Sequence, residues 1–281
     1  MRIQQKNKAI LAMLMAALSF SLMGVFVKLT GDIPVVQKTL FRSVVTLVIA
    51  YSMFNGQSIK LREMKHFTLL GIRCVAGTMG ILLNYYAVDY LILSDANVIM
   101  RLSTIFVILL SWVFLKERIT KRQGFSIGIA FMGMLLIVKP SFSSEIVPYT
   151  VAILGAISAA IAYTTLRALG NKEKPAAIVF VFSLFSTMVL LPFVLFNFAP
   201  MTTSQLVYAL LAGLFAGGGQ MGITYAYRLA PAKEVSIYDY YGVIFSALLG
   251  LVIFGTLPDI LSIIGYCVIF VASYVLYKSK V

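Results

Sequence analysis

Four ionisable residues stand where water should be scarce. Arg42, Arg73, Arg101 and Asp239 each lie inside or at the edge of a long apolar run. An arginine at the centre of a membrane helix is unfavourable by about 2.5–3.5 kcal/mol on insertion scales, so it must meet an acid, a polar solute or water. Its guanidinium presents five donors in a fixed fork, a geometry matched to carboxylates. Tyrosines gather in the same runs, with Tyr86 and Tyr225 at the ends of two of them and Tyr238 and Tyr241 opening a third at i and i+3. Their rings and hydroxyls suit a small organic body. The candidate site is therefore Arg101, Asp239, Tyr86, Tyr225, Tyr238, Tyr241, Asn97, Arg42 and Arg73. For Arg42 and Arg73 the plain alternative is a structural ion pair or snorkelling; for tyrosines such as Tyr90 and Tyr227 it is the aromatic belt of a membrane interface.

Other chemistries lack their parts. The one histidine, His66, sits in a basic loop, and Cys74 and Cys267 lie inside apolar runs as small buried hydrophobes. No nucleophile–base set, metal cluster or P-loop can be assembled, so neither an enzyme nor a cofactor is expected.

The elements that carry these residues follow from composition. The 281 residues are 60% hydrophobic and 12% charged, against about 45–50% and 25% in soluble domains. A membrane helix needs about 20 apolar residues, and ten such runs fit: 9–29, 34–54, 67–88, 95–115, 123–139, 148–168, 175–196, 205–228, 235–254 and 260–277. The first follows Arg2, Lys6 and Lys8 like a signal peptide, but leads straight into further runs and reads as an uncleaved helix. If the N-terminus is inside, 17 of the 23 lysines and arginines fall in inner segments and Lys139 alone in outer loops. That asymmetry places both termini in the cytoplasm of what reads as a bacterial inner-membrane protein. The net charge of +13 therefore reflects orientation in a lipid bilayer rather than nucleic-acid binding.

Depth along these spans is counted at about 1.5 Å per residue. Arg42 lies about 12 Å and Arg101 about 9 Å from the outer edge, Arg73 about 9 Å and Asp239 about 6 Å from the inner edge. Depth makes Arg73 the better partner for Asp239. A second pattern points elsewhere, because the two halves match at a shift of 139 residues. Tyr86-Ala87 falls on Tyr225-Ala226, Phe106 on Phe245, Leu109-Leu110 on Leu248-Leu249, and Lys28 on Arg167. That shift sets Asp239 opposite Met100, beside Arg101. Both pairings stay open. Five spans per half is an odd number, so the second copy enters the membrane from the opposite side. The eighth run adds Gly213, Gly217, Gly218 and Gly222 at spacings of four, which allow close helix approach.

The chain resembles the EamA-type branch of the drug/metabolite transporter superfamily over essentially its whole length. The resemblance rests on Leu40-Phe41-Arg42, on Tyr85-Tyr86-Ala87 through Asp95-Ala96, and on Phe114-Leu115-Lys116-Glu117-Arg118. In the second half it rests on Tyr238-Asp239-Tyr240-Tyr241 and Ala247-Leu248-Leu249-Gly250. It implies an all-α membrane protein of ten transmembrane helices, two inverted-topology five-helix repeats (1–140 and 147–281) around a central cavity, and secondary transport without ATP. One departure is Thr256, where relatives often carry an acid closing the ninth span; Glu117 is kept in the first half.

The arginine excess favours a carrier for a small-molecule substrate bearing a carboxylate or a zwitterion, working by alternating access, with export favoured. Alternatives are import of a heterocyclic nutrient or organic cation gripped by the tyrosines and Asp239, and a non-transporting scaffold. A coupling proton or counter-solute and a homodimer remain open.

Overall fold

Inside a bilayer a single segment can satisfy its own backbone only by coiling into a helix, and the apolar runs do so. The computed structural model describes residues 2–53, 64–91, 93–139, 146–255 and 257–278. Every regular element among them is helical. The helices are α1 (Arg2–Leu29), α2 (Val35–Ser52), α3 (Phe67–Tyr90), α4 (Leu93–Leu115), α5 (Lys121–Val138), α6 (Ile146–Leu169), α7 (Pro175–Phe196), α8 (Thr203–Leu229), α9 (Ala232–Val235), α10 (Tyr241–Phe254) and α11 (Ile260–Lys278). Among the described residues eight helical stretches are long and apolar enough to cross a membrane, and Ile99–Leu115 in α4 is a shorter apolar helix. Outside that set falls α2, which turns a polar stripe inward: Gln37, Thr39, Arg42, Ser43 and Thr46 are all buried.

The ninth run is not one helix. It starts at Ala232, directly after Pro231, and tightens into a 3-10 turn over Ser236–Tyr240 before α10 begins. Proline fits the first positions of a helix because its missing N–H has no partner there anyway. The 3-10 turn rises about 2.0 Å per residue and repeats every three residues. Both properties matter at the site.

Helix ends recur at the interval seen in the sequence. Tyr90 and Leu229 end α3 and α8, Leu115 and Phe254 end α4 and α10, and Lys121 and Ile260 start α5 and α11, each pair 139 residues apart. The left-handed residues Gly31 and Gly170, and Lys116 and Gly255, keep the same interval. Helix pairing follows suit, with α1 against α8 as α6 is against α3, α1 against α10 as α6 is against α4, and α2 on α7 and α5 on α11.

Small residues let these pairs close. A side chain at Gly213 would meet Val45 of α2 at 2.6 Å, and one at Gly222 would meet the Ala12 carbonyl oxygen of α1 at 2.8 Å. The spacing-of-four glycines of α8 thus serve two neighbours, α2 and α1. Cys74 is buried as expected, but Cys267 is exposed on α11. An apolar run on the outside of a membrane bundle faces lipid with one side, so its residues need not be buried in protein.

The α5 and α11 pair is also clipped by charge. Asp259 receives the Lys139 ammonium and accepts the Ser262 N–H at 3.0 Å. The lysine first and the amide second hold its carboxyl well down, at about 2 against an ordinary 3.8. Folding lowers this pKa, so the contribution is complete above the ordinary value and is lost as pH falls through about 2. Lys139→Met is expected to flatten the acid limb of the Tm–pH curve between about pH 4 and 2. An unchanged limb would show that the clip is idle.

Candidate functional site

The 3-10 turn aims Asp239 at α4. Arg101 Nη1 donates to Asp239 Oδ2 at 2.8 Å and to its backbone oxygen at 3.3 Å. Thr104, nearly one turn along α4, donates to the same carboxylate oxygen at 3.4 Å. Gly242 leaves room for the guanidinium, since a Cβ there would stand 3.0 Å from Arg101 Nη2. The pair is not dry: 25% of the Arg101 side chain and 17% of the Asp239 side chain stay exposed. This corrects the depth reading, which favoured Arg73. Starting at Ala232 and climbing through a 3-10 turn carries Asp239 about 12 Å into the bundle rather than about 6 Å. Arg101, on a helix that begins at Leu93, comes about 12 Å from the other end.

Arg73 is 2% exposed and has a different environment. Its Nη2 donates to Gln220 Oε1 of α8 at 2.9 Å, and its guanidinium carbon sits 3.9 Å over the Phe182 ring of α7. The guanidinium lies beside Gly77, one turn further along α3, where a Cβ would overlap Arg73 Nη1 and meet Phe182 Cε2 at 2.7 Å. Gly77→Ala is therefore expected to push the guanidinium off both partners. If Arg73 serves the transport that the family resemblance implies, solute exchange should fall at least about tenfold, the counterpart of about 1.4 kcal/mol, in protein that still elutes as a monodisperse peak. Unimpaired exchange would show that the position of Arg73 does not matter.

Arg42 is 7% exposed, and its Nε, like that of Arg73, has no hydrogen-bond partner. The two guanidiniums lie within electrostatic reach of each other. Tyr163 of α6 lies within reach of Arg42, Arg73, Arg101 and Asp239 together, its ring stacked on Tyr227 at 5.8 Å. The sequence reading missed both Tyr163 and Gln220. The available signal was the rule it applied to charges alone, that a polar side chain inside an apolar span is functional by default.

The tyrosines are placed otherwise than expected. Tyr238 is 6% exposed, donates to the Ser273 carbonyl of α11 at 3.4 Å and stacks on Tyr241 at 6.1 Å. In a 3-10 turn residues three apart eclipse each other. Tyr238 and Tyr241 therefore share the face toward α11, while Asp239 between them turns to α4. Tyr86 and Tyr225 are each 38% exposed, and Tyr86 packs on Tyr90 at 4.4 Å. Neither shares a hydrogen bond or ring contact with the arginines among the described residues. The Asn97 side chain lies outside the described residues.

Glu117 closes the lysine- and arginine-rich end of the bundle. Arg167 Nε of α6 donates to Glu117 Oε1 at 2.7 Å and Arg167 Nη1 to the Tyr227 carbonyl at 3.3 Å, while the Ala232 amide donates to Glu117 Oε2 at 3.2 Å. One carboxylate thus ties the end of α4 to α6 and to the start of α9. Lys28, 139 residues before Arg167, instead lies 4.5 Å over the Phe254 ring. Thr256 lies outside the described residues.

Apolar helices of membrane length, carrying buried charge at a helix break, define an integral multi-pass membrane protein of the transporter class. The chain belongs to the EamA-like transporter family, whose model matches residues 7–139 and again 147–278. It is 31% identical over 278 residues to the pseudopaline exporter CntI of Pseudomonas aeruginosa, covering 98% of this chain and 97% of that one. It is also 27% identical to solute carrier family 35 member G1 of Mus musculus, covering 87% of this chain and 71% of the relative. One solved crystal structure superposes with a TM-score of 0.84 at 13% identity, over 96% of both chains, which bears on the fold alone.

Proposed function

We propose that this protein is a secondary carrier that exports a small carboxylate-bearing or zwitterionic metabolite by alternating access. Two five-span copies, residues 1–140 and 147–281, run in opposite directions across the membrane with both termini in the cytoplasm. The double family match, the helix ends 139 residues apart and the exchange-symmetric helix pairing support that arrangement. An inverted repeat gives two mirror-related conformations around a midplane site.

The single observation that carries the reading is the Arg101–Asp239 pair, held at a break in the ninth span and still partly open. Asp239 occupies Arg101 as a built-in carboxylate, and an entering carboxylate takes over the same fork. Export follows the relative named as an exporter.

The test is a thermal-shift screen of purified protein against metabolites, followed by exchange in liposomes. A ligand that binds only the folded state raises Tm by mass action. Carboxylates are expected to raise Tm and to exchange in a manner that Arg101→Gln removes. Exchange of an organic cation, sensitive to Asp239→Asn and indifferent to Arg101→Gln, would sink this reading and favour a cation importer.

A further inference from the structure

Among the described residues the charge balance around the site does not close. Asp239 neutralises Arg101. The remaining ion pairs among the described residues join His66 to Glu173, Lys139 to Asp259 and Arg167 to Glu117, none of them reaching Arg42 or Arg73. Those two guanidiniums are more than nine-tenths buried, each with an unpartnered Nε, and each lies in the other's field. Arg73 has one neutral acceptor, Gln220, and a ring face. Like charges buried together raise each other's cost, and the remedy in a low-dielectric interior is a counter-anion.

The depth of the pair limits what that anion is. The Arg73 head lies one turn beyond its Cα, about 15 Å from the start of α3, near the middle of a hydrocarbon core of about 30 Å. A lipid phosphate sits at the interface and does not reach there. A carboxylate carried by an entering solute does.

Resting on the carrier reading above, we propose that Arg42 and Arg73 form a dicationic subsite and that the transported solute carries two carboxylates. Among the described residues, the three arginines and Asp239 leave two positive charges in excess. A monocarboxylate halves that excess, whereas a dicarboxylate cancels it.

Purified full-length protein is titrated with succinate, glutarate and adipate and with butyrate, reading Tm. At least one dicarboxylate should stabilise the protein at about tenfold lower concentration than butyrate, the difference expected for one added charge-assisted contact. Arg42→Gln and Arg73→Gln should each bring that ratio to about one. If a glutamine variant does not fold, the corresponding lysine variant, which keeps the charge and loses the fork, should give an intermediate ratio. A wild-type ratio near one for all three diacids overturns the proposal, as does a ratio that survives in both arginine variants. Butyrate binding lost on Arg101→Gln with no preference for diacids would leave the carrier reading standing and remove only the subsite. Failure of these acids, and of every carboxylate and zwitterion in the thermal-shift screen, to bind would remove both.

Discussion

Arg101→Ala is expected to abolish exchange and to destabilise the protein, whereas the double variant Arg101→Ala/Asp239→Ala regains stability without regaining exchange. Removing one partner of a buried pair costs about 3–5 kcal/mol, because the other charge is left uncompensated. The Arg101 and Asp239 side chains keep 25% and 17% exposure, so the cost here falls near the lower end of that range. In the single variant Asp239 retains only the Thr104 hydroxyl, at 3.4 Å. Removing the aspartate as well deletes the orphan charge, and the two losses become non-additive, as they are for residues in direct contact. Exchange behaves differently, because in the proposed function the guanidinium fork reads the solute. Its loss should lower the rate at least about a hundredfold, the counterpart of about 2.8 kcal/mol, in single and double variants alike. A double variant that exchanges solute at the parental rate would make the pair a structural strut and remove it from the binding site.

That pairing also marks the limit of what the sequence discloses. Apolar run length is enough to place the helices, because a bilayer leaves the backbone no other solution. The 3-10 turn is a different matter, since Ser236–Tyr240 lies inside the ninth apolar run and holds no glycine or proline of its own. Only Pro231 hints that the ninth span begins early. Without the break, depth assigns Asp239 to the wrong arginine and puts Tyr238 and Tyr241 on a cavity wall instead of against α11. The 139-residue shift, which carries no assumption about rise per residue, set Asp239 beside Arg101. Gly77 reads in sequence as a packing glycine like those of α8. Its use as the berth of the Arg73 guanidinium depends on a rotamer, and on Phe182 and Gln220 arriving from helices more than 100 residues away.

If the protein works by alternating access as proposed, Glu117→Gln should release the lysine- and arginine-rich end of the bundle and shift it toward the conformation open there. The carboxylate accepts the Arg167 Nε–H and the Ala232 amide, so it holds α4 to α6 and to the start of the broken ninth span. Its glutamine counterpart keeps the shape but loses the ion pair. Hydrogen bonds to charged groups contribute about 1.5–3 kcal/mol each, and with Arg167 and Glu117 side chains 23% and 13% exposed little of that is lost to solvent. A loss of even about 1.4 kcal/mol from one of two conformations moves their populations tenfold. Spin labels at exposed Lys121 and Lys172, on α5 and just past α6, report the opening as a longer-distance population in the glutamine variant. The opposite end offers the converse experiment. Its cation, Lys28, rests on the Phe254 ring, and position 256 carries threonine where Glu117 has its repeat counterpart. Thr256→Glu supplies the missing acid, and should favour the same conformation by tightening the far end instead of loosening the near one. Unchanged label distances in both variants would mean that the clasp does not act as a gate.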